Sequence, residues 1–180
     1  MKKHKIKILI LLLLCASILS AQTPEYEVKA VFLERFTRFI EWPADSSISD
    51  TSTPFIIGVM GDNPFDHSLE ELYKNYKIMN KNVRIKYFST PEQITECNLL
   101  YISESEKDKL NSILEKINNK PILAVSDSDG FAEEGIHINL YVKNNKVRYE
   151  INESTLTKSG FTAWAQLLSS AKIVNPVEKK

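Results

Sequence analysis

The stretch PFIIGVMGDNPF, residues 54–65, decides the fold class. Its first seven residues form a short, nearly continuous apolar run, the pattern of a strand buried on both faces of a sheet. Asp62-Asn63-Pro64 then makes a turn whose polar side chains and proline suit the start of a helix. That helix would carry Phe65, Leu69, Leu72 and Tyr73 on one side. A buried strand feeding directly into a helix is the building unit of a parallel sheet.

Downstream the unit repeats. VRIKYF (83–88) alternates as a strand, and Thr90-Pro91-Glu92 opens a short helix. LLYIS (99–103) reads as a buried strand, after which Ser103 caps a helix running through Leu110, Ile113, Leu114 and Ile117. PILAVS (121–126) is another buried strand, and it exits into DSDGF (127–131). IHINLYV (136–142) and KVRYEIN (146–152), joined by Lys143, Asn144 and Asn145, read as a hairpin. Two short helices near 153–159 and 162–173 close the chain. Upstream, apolar residues at 28, 31, 32, 36, 39 and 40 recur at helical spacing with charges between them, and Pro43 ends the run. ADSSISDTSTP (44–54) is a polar loop. The expectation is a single α/β domain: a mixed, mostly parallel sheet with helices on both faces and a C-terminal antiparallel hairpin at its edge.

The N-terminus has a different character. MKKHKIK is basic, ILILLLLCASIL is apolar but short for a bilayer span, and Leu19-Ser20-Ala21 suits a signal peptidase. The chain is therefore expected to divide into a signal peptide, 1–21, and an exported domain, 22–180. A lipidated Cys15 and an uncleaved anchor are the alternatives, the first disfavoured by the bulk of Leu14. Residues 1–21 hold four lysines and no acid, so their removal leaves 19 basic residues against 23 acidic ones. That balance excludes nucleic acid as a partner. It also weakens a lipid-surface role for the first helix, where Lys29, Arg35 and Arg38 face Glu25, Glu27, Glu34 and Glu41. Cys97 is the one cysteine left, so no intrachain disulfide is available and the core alone must hold the fold.

Chemistry is sparse. Beyond the leader the histidines are His67 and His137, with no second ligand in metal spacing, so no metal and no cofactor is expected. Asp66-His67 reads as a solvated helix start rather than an acid–base pair. Gly58 to Gly61 lacks the third glycine of a phosphate loop, and Asp62 would repel the phosphate. SDSDGF (126–131) places Asp127 and Asp129 at a strand exit, where open α/β sheets commonly hold ligands. The plainer account is a turn with Gly130 at positive φ and solvated acids. Arg148 reads as ordinary strand chemistry, paired with Glu150 or a helix acid.

Taken in order, KAVFLERFTRFIEWP, PFIIGVMGDNPF, CNLLYISESE, PILAVSDSDGFAEEGIHINLYVKNNKVRYEIN and LTKSGFTAWAQLLSSAKIV resemble the YfiR family of bacterial periplasmic regulators. The resemblance runs from about Val28 to Val174. It implies a non-enzymatic, cofactor-free protein that binds and represses the periplasmic domain of an inner-membrane signalling enzyme. The target would be a diguanylate cyclase, or else a sensor kinase, and release would raise cyclic-di-GMP, exopolysaccharide and biofilm output. It further implies a homodimer. Ile136 stands where the family tends to have a second glycine after Gly135. An inhibitor of this kind needs exposed apolar residues rimmed by polar ones, and the candidates are Phe39, Trp42 and the loop carrying Asp127, Asp129 and Phe131. A small-ligand sensor with a pocket near Asp62 and Asp127 is the competing reading.

Overall fold

The computed structural model describes residues 23–175 of 180, and the expected leader at 1–21 lies outside the described residues. The first helix, α1, spans Thr23–Arg38. Short strand β1 (Ile40–Glu41) follows, then β2 (Phe55–Met60), α2 (Ser68–Tyr73), β3 (Val83–Phe88) and β4 (Leu99–Ile102). After a 3₁₀ segment, Glu104–Lys109, come α3 (Leu110–Ile117), β5 (Leu123–Ser126) and the single turn α4 (Phe131–Glu134). The hairpin is β6 (Ile138–Lys143) and β7 (Lys146–Asn152); α5 (Glu153–Lys158), β8 (Thr162–Ala163), α6 (Ala165–Leu168) and β9 (Lys172–Val174) complete the described chain.

Seven strands form the main sheet in the order β3-β2-β4-β5-β6-β7-β9. All neighbours run parallel except the β6–β7 hairpin, so the sheet is mixed and mostly parallel as expected. Asn144 and Asn145 both take positive φ, 53° and 56°, the two-residue turn whose twist matches that of the strands. The hairpin is not the edge, however. Lys172–Val174 pairs parallel with β7, and Thr162–Ala163 pairs antiparallel with β1. The helix expected over 162–173 is thus a strand, a short helix and a strand, because inter-strand hydrogen bonding overrides the local helical spacing of its apolar residues.

Every residue of β2, β4 and β5 is buried. Their side chains alternate between two cores. Phe55, Ile57, Val59, Leu99, Tyr101, Leu123 and Val125 face α1 and α2. Met60, Leu100, Ile102 and Ala124 face α3 and α4. Gly58 is the one glycine within these strands, and a Cβ there would lie 2.7 Å from Phe88 Cε2 and 2.9 Å from Leu100 Cδ1. The missing side chain is what lets those two neighbours close over the strand.

The inward face of α1 differs from the spacing-based expectation. Ala30, Leu33 and Phe36 are fully buried, but so is most of Lys29 at 3 % exposure, while Val28 and Val31 are 44 % and 51 % exposed. A charge occupies a core position because it has an ion-pair partner there, and the apolar stripe turns outward by a corresponding step. Behind Pro43, the polar loop is pinned by the buried Lys81, whose Nζ donates to the carbonyls of Ser47 and Asp50 at 2.7 Å each and to Thr53 Oγ1 at 3.1 Å.

Candidate functional site

Open α/β sheets place ligands outside the strand carboxyl ends, where the connections diverge to opposite faces. Here that point lies between β2 and β4. It is filled by the protein itself. Gly61 turns at φ 85°, Ser105 Oγ accepts the Asp62 amide at 3.0 Å, and a Cβ on Gly61 would meet Ser105 Oγ at 2.5 Å and Glu106 Cγ at 2.6 Å. The expected pocket at Asp62 is therefore closed by the 3₁₀ segment.

One sheet position further along, Asp127 leaves β5 and is taken up internally. Its Oδ2 receives Lys29 Nζ at 2.5 Å and its Oδ1 receives the Tyr101 hydroxyl at 2.5 Å. Lys29 also pairs with Glu25 at 2.5 Å and sits 4.4 Å from the Tyr26 ring centroid. Burial and then the Asp127 charge push the Tyr101 hydroxyl far above the usual tyrosine range, so it stays a donor. Beside this cluster opens a polar cleft of about 600 Å³, whose walls include Asp127, Asp129, Asn139, Tyr141, Glu150 and Lys172.

The five residues expected to form a docking surface do not gather on one face. Asp129 is exposed and Asp127 is half-buried. Phe131 is fully buried against the α3 side of the sheet, following Gly130 at φ 81°, and so cannot present an aromatic to a partner in this form. Trp42, 8 % exposed, is held edge-on between Phe55 and Phe161 with centroids 5.9 Å and 5.2 Å away, and its exposure is corrected likewise. Phe39 remains half-buried at the surface and meets Trp164 edge-on at 6.2 Å. Trp164 is 49 % exposed, and its amide donates to the Phe39 carbonyl at 2.9 Å beside the β1–β8 pairing. Reading 162–173 as one amphipathic helix hid Trp164; the signal available was an aromatic just before a polar–apolar change of period. With Val28, Val31 and the half-buried Phe32, these side chains lay an apolar stripe along α1, interrupted by Arg35, which lies 5.8 Å from the Phe32 ring.

The remaining titratable groups are structural. His137 is buried, its Nδ1 accepts the Ala124 amide at 3.0 Å, and Nε2 lies 2.9 Å from Ser159 Oγ. Burial lowers it to about 4, so the ring is a neutral anchor between β5 and α5. Asp66 and His67 are largely solvated and 3.8 Å apart. Arg148 does not pair with Glu150; Lys172 does, at 2.9 Å. Cys97 is a free thiol pushed up to about 12 by burial, far from a reactive thiolate. Among the described residues no group of three or more His, Cys, Asp or Glu could hold a metal, and no helix is long and apolar enough to cross a membrane.

Solved structures share the architecture. The ABC domain from Streptococcus pneumonia in complex with L-Trp aligns with a TM-score of 0.51 and 10 % identity, over 67 % of this chain and 55 % of that one. A ligand-free, open substrate-binding protein with adhesive properties from Clostridium difficile aligns at 0.53 and 13 % identity, over 70 % and 56 %. The chain thus spans little more than half the length of either, and at such identity only the fold is shared. No curated protein matches the chain. A family model does, the one described as YfiR/HmsC-like, over residues 26–172. This chain belongs to the YfiR/HmsC-like family, whose members are periplasmic regulators of diguanylate cyclase and not enzymes.

Proposed function

We propose that the protein binds the periplasmic domain of an inner-membrane diguanylate cyclase and holds it in a low-activity state, docking through the flank of α1 and the Phe39–Trp164 pair. The observation that carries this is the apolar stripe of Val28, Val31, Phe32, Phe39 and Trp164, rimmed by Glu25, Arg35 and Arg38. Binding hot spots are enriched in aromatics and arginine set in such surroundings. Asp129, exposed at the far end of α1, belongs to the polar rim in this reading. Repression follows if the stripe meets the inactive conformation of the cyclase better than the active one, and it can be no larger than that difference.

Deleting the gene raises cellular cyclic-di-GMP on this reading, and the wild-type gene restores it. A Val31→Asp/Trp164→Ala variant, exported and folded, fails to restore it. Unchanged cyclic-di-GMP after deletion, with no membrane protein recovered by periplasmic crosslinking, sinks the proposal. Export by a cleavable leader over 1–21 and assembly as a homodimer belong to the same reading. The mass of the periplasmic protein and light scattering on the purified chain check them. A sensor kinase in place of the cyclase would be crosslinked instead.

A second reading, a small-ligand sensor, draws support from the cleft of about 600 Å³ beside Asp127. Its check is a ligand-dependent rise in melting temperature that Asp129→Ala abolishes.

A further inference from the structure

Most of the sheet is covered on both faces, but the hairpin end is not. Strand periodicity brings Asn139, Tyr141 and Lys143 of β6 to one face together with Lys146, Arg148 and Glu150 of β7. The register sets Tyr141 opposite Arg148 and Lys143 opposite Lys146. Lys172 of β9 joins this row beside Glu150. A concave groove of about 440 Å³ opens there, and its walls include Tyr141, Lys143, Lys146, Arg148, Ser170 and Lys172, with no acid lining it.

Two features separate this groove from an ordinarily solvated sheet face. Lysines do protect sheet edges, which accounts for Lys172 on β9, but β6 and β7 are inside the sheet. Like charges directly opposite one another are destabilising, and Lys143 faces Lys146 without an acid between them. Among the described residues Lys143, Lys146 and Arg148 have no ion-pair partner. Among the acids of the adjoining cleft, Glu25 and Asp127 pair with Lys29, Asp129 is exposed to water, and Glu150 is engaged within the sheet. Glu150, 6 % exposed, accepts the Asn139 amide at 3.2 Å and binds Lys172 at 2.9 Å, which raises the Lys172 ammonium above its usual range and fixes it at the groove wall.

We propose that this groove is a binding site for an oxyanion, a phosphate or carboxylate group. The Arg148 fork would take the oxyanion bidentately, Lys143, Lys146 and Lys172 would neutralise it, and Tyr141 and Ser170 would offer hydroxyls. Such a group can arrive on a free small molecule or on a lipid headgroup. The site does not depend on the cyclase reading, since Lys143, Arg148 and Lys172 lie off the α1 stripe; Lys146 alone of the row also lines a cleft with Val28 and Phe32.

The test is calorimetric titration of the full folded protein with pyrophosphate and with citrate at low ionic strength, alongside sedimentation with phosphatidylglycerol vesicles. Saturable binding of the free anions, weakened about tenfold or more in Arg148→Ala and less in Lys146→Ala, supports the site. Lys74→Ala, on the far side of the sheet at the end of α2, leaves it unchanged. Binding to vesicles alone, lost in Arg148→Ala, assigns the oxyanion to a headgroup. Absence of saturable binding to all three probes overturns the proposal, as does equal binding by wild type and Arg148→Ala. Far-ultraviolet circular dichroism and melting of each variant separate lost binding from lost fold.

Discussion

The two halves of the main sheet follow opposite rules. In β2, β4 and β5 every side chain is enclosed, by α1 and α2 on one face and by α3 and α4 on the other. In β6 and β7 one face joins the α1 core through Leu140, Tyr149 and Ile151, while the other is covered only near Asn139, Glu150 and Asn152 and carries Lys143, Lys146 and Arg148 into open water at the hairpin end. A strand covered twice has no freedom to vary its chemistry; a strand covered once can hold the sheet together with alternate residues and use the rest. That division puts the enclosed strands at the middle of the sheet and the unpaired charges toward its flanks, Arg84 and Lys86 on β3 and Lys143, Lys146 and Arg148 on the hairpin.

Lys29 stands at the seam between the halves and should give the largest effect at neutral pH. Lys29→Ala leaves the half-buried Asp127 with only the Tyr101 hydroxyl, and urea unfolding should show a loss of about 2–3 kcal/mol. A value near zero would mean that the seam is wet and the division unreal. His137 adds a pH dependence. Its folded value of about 4 lies below the unfolded value of 6.5, so the unfolded chain binds the proton first as pH falls. The stability it confers is complete above pH 6.5 and drains away between there and pH 4, by about 3 kcal/mol in total. Subtracting the stability–pH curve of His137→Gln from that of the wild type isolates the slope. In the enclosed half, Gly58→Ala presses a methyl against Phe88 and Leu100, and should cost about 1–3 kcal/mol in the same unfolding assay. In the open half, Arg148→Ala should shift unfolding by no more than about 0.5 kcal/mol in either direction. A large loss there would show that the exposed row has a structural task.

What could be read from the chain follows this same division. Continuous apolar runs such as PFIIGVM and PILAVS have one physical solution, and strands stand there. The hairpin was legible because Asn-Asn tolerates positive φ. Where an element is short and half-covered, local spacing loses to pairing: 162–173 has helical periodicity, yet β8 and β9 are fixed by partners more than a hundred and about twenty residues away. The candidate site was harder. Phe131 and Trp42 each lie beside a turn, but aromatic bulk drives burial as readily as display, and only tertiary packing decides which. Lys29 shows the converse, a charge hidden because Asp127, ninety-eight residues later, meets it. Trp164 and the basic row of Lys143, Lys146 and Arg148 follow from register, which single residues do not announce.

The last stretch of chain has a consequence for how the molecule comes into being. Residues 162–163 tie down the end of α1 through β1, and residues 172–174 finish the sheet beyond β7. Neither closure can form until nearly the whole polypeptide is present, because loop-closure entropy must be overcome before such distant contacts contribute. On the export proposed above, a chain threaded through a membrane gains from that order. The β1 and β7 edges wait for the tail, and those two closures lock only when it arrives.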